Sequence, residues 1–272
     1  MSLLNEKLAN LANLPPMPML LMDALQQLNG KQDLTTLVDK ISQDPSITVR
    51  ILRVVNSPFY GVPREIGSLR EAIILLGFNR IRDMLTSICL LKMLPTWHKD
   101  FDCNPFWHHS MAVAECARYL AIYADENADL AFTAGLLHDI GVIVIVLLFP
   151  DEFSQLVKLS PPFNSEDERQ LLGFDHMAAG GRAAQHWNLP IAIQTAIEQH
   201  TTPPGVDTVK SLSLLIYAAN LLITKAEQAD NTSLEADTPL CAALTLLNVS
   251  TEQAHYCCDN GCRFADLFLV LA

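Results

Sequence analysis

The chain has 272 residues, of which half are hydrophobic and 18% are charged. That composition excludes a disordered polymer and leaves ample length for a buried core. With 30 acidic residues against 18 basic ones the net charge is -12, which argues against a dedicated nucleic-acid binder and against attachment to an anionic membrane.

Along the chain the hydrophobic period is helical nearly everywhere, with apolar residues recurring at three- and four-residue spacings and few alternating runs. The expected fold is all-α, with about a dozen helices of ordinary length. The N-terminus, MSLLNEKLANLANLPP, has no basic start followed by a long apolar run, so no secretory signal is read there. Leu34–Gln43 and Ile47–Asn56, joined by Asp44-Pro45, imitate a helix-turn-helix, but the acidic total and the apolar content of both segments favour core packing. Asp44 is a cap and Pro45 a first helical residue, opening a helix toward Asn56. Ser68 with Glu71 forms a capping box, and that helix stops at Gly77. Arg50, Arg53, Arg64, Arg70, Arg80 and Arg82 concentrate positive charge in this first half; a solvated surface is the expectation, with docking of an acidic partner or an RNA backbone as the alternative.

The apolar period breaks at Leu94–Asn104, which is taken as the boundary between residues 1–100, an N-terminal helical part, and residues 101–272. Seven of the eight histidines follow His98. The most apolar stretch, Leu130 to Pro150, contains His138 and Asp139; its uninterrupted part, Gly141 to Phe149, is too short to cross a bilayer, so no membrane span is expected. Ser160 to Asp167 reads as a polar loop within the second half. Leu189-Pro190 opens another helix, which ends before Pro203-Pro204-Gly205. The seven cysteines are an odd number scattered over a long chain, which predicts a reducing, cytoplasmic setting.

Chemistry is concentrated in Leu136-Leu137-His138-Asp139-Ile140-Gly141. A histidine and a carboxylate set in the middle of a very apolar helix cost several kcal/mol unless hydrogen-bonded or bound to a cation. Both can reach one ion, and imidazole with carboxylate suits Fe, Mn, Ni or Zn. The alternative is a buried His-Asp hydrogen bond that only ties helices together. Other polar groups also lie on apolar stripes: His109 with Ala112, Val113, Cys116 and Leu120; His176 ahead of Ala179, Gly180 and Ala183; His200 after Ile193, Ala196 and Ile197; Asn220 with Ile216, Tyr217 and Ile223. Singly each is an ordinary core residue; together they suggest one shared buried site. His255, Cys257, Cys258 and Cys262, with Cys241 upstream, suggest a zinc site more weakly, because the spacing is not a paired CxxC pattern.

These residues resemble a known family. The second half is similar to the HD superfamily of metal-dependent phosphohydrolases. The first half, with Leu14-Pro15-Pro16-Met17-Pro18, Asp44-Pro45, Arg50 through Pro58 (RILRVVNSP) and Ala72 through Gly77 (AIILLG), resembles the HDOD domain, an HD-related output domain of bacterial signalling proteins. The resemblance runs from about Leu14 to about Thr224 and implies a multi-helix HD-like bundle preceded by an N-terminal helical subdomain. It implies a metal set of His109, His138, Asp139 and a later aspartate, which here is Asn220, and two further histidines at His176 and His200. Thr201 stands where a second adjacent histidine would be, Val142 replaces a phosphate-binding lysine, and a Gly-Tyr-Pro signature is absent after His200. An amide oxygen is a weaker ligand than a carboxylate. The resemblance therefore implies a regulatory module that binds a protein partner or small ligand without turnover, with a divalent metal or none. The alternatives are a metal-dependent phosphohydrolase acting on a nucleotide or other phosphate ester, and an RNA-linked adaptor, which the net charge opposes.

Overall fold

A computed structural model describes residues 41, 42, 44–93, 101–159, 164–202, 205, 210–228 and 238–271. The Leu14–Pro18 motif, most of the Leu34–Gln43 segment, residues 94–100 of the boundary and residues 160–163 of the polar loop lie outside them. Among the described residues the chain is helical and has no strand, as the hydrophobic period predicts. Among the described residues the first three long helices are α1 (Pro45–Val55), α2 (Leu69–Leu76) and α3 (Phe78–Met93). Then come α4 (Cys103–Tyr123), α5 (Ala128–Leu137), α6 (Ile140–Leu148), α7 (Pro150–Leu159) and α8 (Ser165–Leu172). The last five are α9 (His176–His186), α10 (Ile191–Gln199), α11 (Leu212–Glu227), α12 (Thr238–Leu247) and α13 (Thr251–Leu271).

Local chemistry sets the ends. Asp44 Oδ1 accepts from the backbone N–H of Ser46 at 3.0 Å and of Ile47 at 3.2 Å, and Pro45 sits where no N–H is needed. At the far end the Asn56 amide pins the following loop, accepting from Ile66 N at 2.7 Å and donating to Ile66 O at 2.9 Å. Ser68 caps α2 by accepting from Glu71 N, while the Glu71 carboxylate accepts from Gly67 N, one residue short of a reciprocal box. Gly77, at φ 85°, ends α2.

The long helix α4 is the centre of the bundle. Met111, Ala112, Val113, Ala114, Cys116, Ala117, Leu120 and Ala121 on it are fully buried, against α13, α5 and α11. The N-terminal helices join the same core, with Phe59 beside Phe264 of α13 at 5.6 Å between ring centroids. Their arginines do not all form the expected solvated surface. Arg82 is buried, and Arg80 places its guanidinium 2.8 Å from both oxygens of the buried Glu115. Arg118 joins Glu115 at 3.2 Å to Asp83 and Asp129, so an ion cluster clamps α3 to α4 and α5. Helical period marks Arg80 as polar but cannot report an acidic partner more than thirty residues away.

The His-Asp pair is not in the middle of one helix. Helix α5 ends at Leu137, His138 is its C-cap, and Asp139, at φ -98° and ψ 14°, starts α6. The stretch Ala128–Leu148 nevertheless reaches the length and apolarity of a membrane span, against the expectation of none; 83% of its most apolar window is buried inside the protein. Gly141 explains how the break is held. A Cβ on it would lie 1.7 Å from the His176 carbonyl oxygen, so the first turn of α6 lies directly against the first turn of α9.

Gly141→Ala is expected to lower stability by about 3 kcal/mol or more, although the same change in an open helix gains about 1 kcal/mol. Chemical denaturation measures the sign. Arg118→Met, which strands buried carboxylates, is expected to cost about 3–5 kcal/mol by the same measurement.

Candidate metal centre

Five elements deliver polar side chains to one place. His109 comes from α4, His138 and Asp139 from the α5–α6 break, His176 from the first residue of α9, His200 from the C-cap of α10, and Asn220 from α11. An aspartate at a helix start ordinarily caps it, but the Asp139 side chain makes no capping hydrogen bond to α6. Its carboxylate turns to the imidazoles instead. Oδ1 lies 3.1 Å from His200 Nε2 and 3.7 Å from His176 Nε2, and Oδ2 lies 3.3 Å from His138 Nε2. Two groups of three ligand atoms result, His109–His138–Asp139 and Asp139–His176–His200, each with its atoms within 4.8 Å of one another. Asp139 belongs to both.

Each imidazole is oriented from behind. Nδ1 of His138 faces the Gly135 carbonyl at 2.7 Å, and Nδ1 of His200 faces the Ile197 carbonyl at 2.8 Å. Nδ1 of His176 faces Glu168 Oε2 at 2.7 Å, and Nδ1 of His109 faces Glu227 Oε2 at 2.8 Å. Carbonyls and carboxylates only accept, so Nδ1 carries the proton in all four rings and Nε2 is left for the centre. His176 Nε2 and His200 Nε2 stand 3.4 Å apart. His109 Nε2 lies 3.0 Å from Asn220 Oδ1, which also accepts from Thr224 at 3.3 Å. His138 is fully buried, and its Nε2 has no hydrogen-bond partner.

The fields follow from this arrangement. Burial pushes the Asp139 carboxyl up, but the His138 and His200 imidazoles prevail and hold it well below the usual carboxylate range. Burial pushes His138 down and prevails over Asp139. Burial also opposes protonation of His109 and His176, yet both are raised: His109 by its Glu227 hydrogen bond and Asp139, His176 by its Glu168 hydrogen bond and Asp139. Glu227 is lowered in turn, against burial, by its hydrogen bond to His109.

Converging Nε2 atoms around one carboxylate, each ring fixed from its Nδ1 side, could hold a metal ion. The orphaned Nε2 of His138 is the observation that fits a cation, because a buried lone pair without a donor costs free energy otherwise. Glu168 and Glu227 had no sequence signal of comparable strength. Glu168 lies in SEDERQLL, which reads as a solvated helix, yet it is fully buried. Glu227 follows Asn220 by two helical turns on the same face, and that spacing could have pointed to it. Among the described residues, neither group of converging ligand atoms includes a cysteine, so the segment from His255 to Cys262 does not assemble as a zinc site.

The family comparison decides the kinship. The model of the HDOD domain matches residues 14–203. The chain belongs to the HDOD family. Asn220 lies beyond the matched stretch. An HDOD domain protein of unknown function from Geobacter sulfurreducens superposes with a TM-score of 0.79 at 22% identity, covering 98% of each chain. A provisionally named phosphohydrolase from Shewanella amazonensis superposes with a TM-score of 0.78 at 22% identity, covering 96% of this chain and 97% of its own. These likenesses establish the HDOD-type helical fold. An uncharacterized protein of Treponema pallidum is 25% identical over 220 residues, which are 78% of this chain and 42% of that one. The chain thus spans under half the length of that curated relative.

A cation and a proton compete for the same Nε2 lone pairs. Because the HDOD centre raises His109 and His176 above the ordinary imidazole value of about 6.5, Mn²⁺ affinity is expected to climb with pH through and beyond that value. Glu227→Gln removes a charge that raises His109 and should move the midpoint down. Calorimetric titration at a series of pH values reads both; affinity independent of pH would remove His109 and His176 from the ligand set.

Proposed function

We propose that this chain is a regulatory HDOD module whose centre binds divalent cation through His109, His138, Asp139, His176 and His200, with Asn220 as a weak neutral ligand, and that it passes occupancy to a signalling partner without turnover. The observation that carries the cation is the buried Nε2 of His138, which makes no hydrogen bond and has the Asp139 carboxylate 3.3 Å away. Iron, manganese, nickel and zinc all suit such a donor set. A cation held there supplies Lewis-acid polarisation of an oxygen ligand.

The protein's own groups supply little else that phosphoryl chemistry needs. Among the described residues, the hydrogen bonds and ion pairs of the six side chains run to one another, to Glu168, Glu227 and Thr224, and to main-chain carbonyls. No lysine or arginine is among those partners, and Val142, where the HD resemblance places a phosphate-binding lysine, is buried. Phosphoryl transfer relies on positive groups that stabilise charge on the transferring oxygens. What the site does offer is mechanical. Its ligands come from α4, the α5–α6 break, α9, α10 and α11, so an occupied centre ties five elements together. A cation at a hundred times its Kd stabilises the folded state by about 2.7 kcal/mol, enough to order one face for a partner.

A second reading, a metal-dependent phosphohydrolase, draws on the same two groups of ligand atoms sharing Asp139 and on the provisional name of the Shewanella amazonensis protein. The experiment separates the readings. Protein purified without added metal is analysed for iron, manganese, nickel and zinc, melted with and without each ion, and assayed for phosphatase and phosphodiesterase turnover. The regulatory reading expects metal in the preparation, a rise in melting temperature that His138→Ala abolishes, and no turnover. Turnover lost in Asp139→Ala would replace it with the hydrolase; no metal and no shift in melting would remove the cation from both. Asn220→Asp, which adds a charge to the donor set, should raise affinity by about tenfold.

A further inference from the structure

We propose that α8 is a latch on the centre: Glu168 docks this short helix on His176, and a cation bound at His176 holds it closed. The latch rests on the cation reading proposed above and is the element through which occupancy is passed on.

Helix α8 is attached by charge more than by apolar burial. Its sequence, SEDERQLL, gives the core two leucines, Leu172 buried and Leu171 half-buried, and its other side chains are polar. Glu166, Arg169 and Gln170 are exposed. An element with so little apolar burial has low local stability and opens ahead of the core. It ends at Gly173, left-handed at φ 85°, and Phe174 beyond it is anchored on Phe149 at 5.3 Å between ring centroids. Glu168 Oε2 accepts from both the backbone N–H and Nδ1 of His176, each at 2.7 Å. Arg169 Nε donates to Asp175 Oδ2 at 2.8 Å, and Asp175 Oδ1 caps α9 by accepting from Ala178 N at 2.8 Å. Both ties end on the first turn of α9, the turn that carries a candidate ligand. Its other side is locked, with the His176 carbonyl against Gly141.

Glu168 makes the latch conditional. Its carboxylate is fully buried, yet Oε1 has no hydrogen-bond partner. One oxygen has lost water without gaining a donor, so the two His176 hydrogen bonds hold the docked state against that cost. A cation on His176 Nε2 adds positive charge to the ring whose Nδ1–H Glu168 accepts, which strengthens the bond. A ligand that binds the docked form better shifts α8 toward it, and the coupling is reciprocal. The position of α8 is also particular to His176. His138, His200 and His109 are backed by Gly135 on α5, Ile197 on α10 and Glu227 on α11. Those helices each carry or adjoin a candidate ligand. His176 is the one ring of the four backed by an element that supplies none.

The test follows α8 in the full chain by hydrogen exchange, read by mass spectrometry over residues 165–172. Each protein is measured without metal and with Mn²⁺ at a concentration that saturates its melting shift. Mn²⁺ should slow exchange in wild-type α8 by about tenfold, an ordinary coupling between two sites. In Glu168→Gln, which keeps an acceptor but removes the charge, that slowing should largely vanish while Mn²⁺ still raises the melting temperature. Trypsin reports the same opening in the wild type. Cleavage after Arg169, inside α8, should slow with Mn²⁺ relative to cleavage after the exposed Arg53 on α1, and this comparison decides if Glu168→Gln does not fold. A melting shift with exchange and cleavage in α8 unchanged would overturn the latch and leave the cation reading standing. Equal slowing in wild type and Glu168→Gln would overturn it too, because the charge of Glu168 would then play no part. No melting shift in the wild type would remove the cation and the latch together.

Discussion

The centre depends on one backbone contact, that of Gly141 against His176. The first turn of α6 can lie on the first turn of α9 only because position 141 has no Cβ. The junction between α5 and α6 falls at His138 and Asp139, two residues before that contact. In a straight helix, neighbouring residues point about 100° apart and Asp139 would serve one side only. At the junction its carboxylate lies within 3.7 Å of three imidazoles, Oδ1 toward His176 and His200 and Oδ2 toward His138. The shared ligand atom is thus a consequence of packing and not of carboxylate chemistry alone.

Much of this was legible in the chain itself, and the reason is local. Asp44-Pro45, Ser68, Gly77 and Leu189-Pro190 mark helix ends by chemistry confined to a few residues, and the helix ends lie at or within a residue of these signals. The six candidate side chains were also visible, because a polar residue on an apolar stripe stands out. What escaped is non-local. The run from Leu130 to Phe149 carries no proline, so its period passes through the break unchanged. Glu168 is hidden by its neighbours: in a helix where nearly every residue is polar, nothing distinguishes the one whose carboxylate is fully buried beside His176. Arg80 is a charged residue whose partner, Glu115, lies far along the chain, and Arg82 pairs with the adjacent Asp83 but also reaches the distant Asp129.

The two outer carboxylates give the halves of the centre different characters. Glu168 is fully buried and holds His176 through both its ring and its backbone N–H, each at 2.7 Å. Glu227 is partly exposed and divides itself between His109 and His108, which in turn reaches Asp266 on α13. The His176–His200 half is therefore fixed from within the fold, whereas the His109 half is suspended from groups at the surface. Asn220 weakens that same half, since it faces His109 Nε2 with a neutral oxygen. A change on α13 reaches the centre on its looser side.

The reading proposed above, binding without hydrolysis, draws on the charge of the centre. Asp139, Glu168 and Glu227 bring three carboxylates to four imidazoles, and no guanidinium or ammonium group partners the six candidate side chains among the described residues. Those carboxylates favour protonation of His109 and His176, which is why both are raised. With a cation those protons leave, and the same carboxylates become the anchors of the rings that hold it. A phosphate ester entering this place would bring more negative charge to a site whose positive charge, among the described residues, would come from the cation and the imidazoles. On the proposed reading the arrangement would exchange protons for metal at the imidazole nitrogens, and the elements carrying them would be what the exchange tightens or releases.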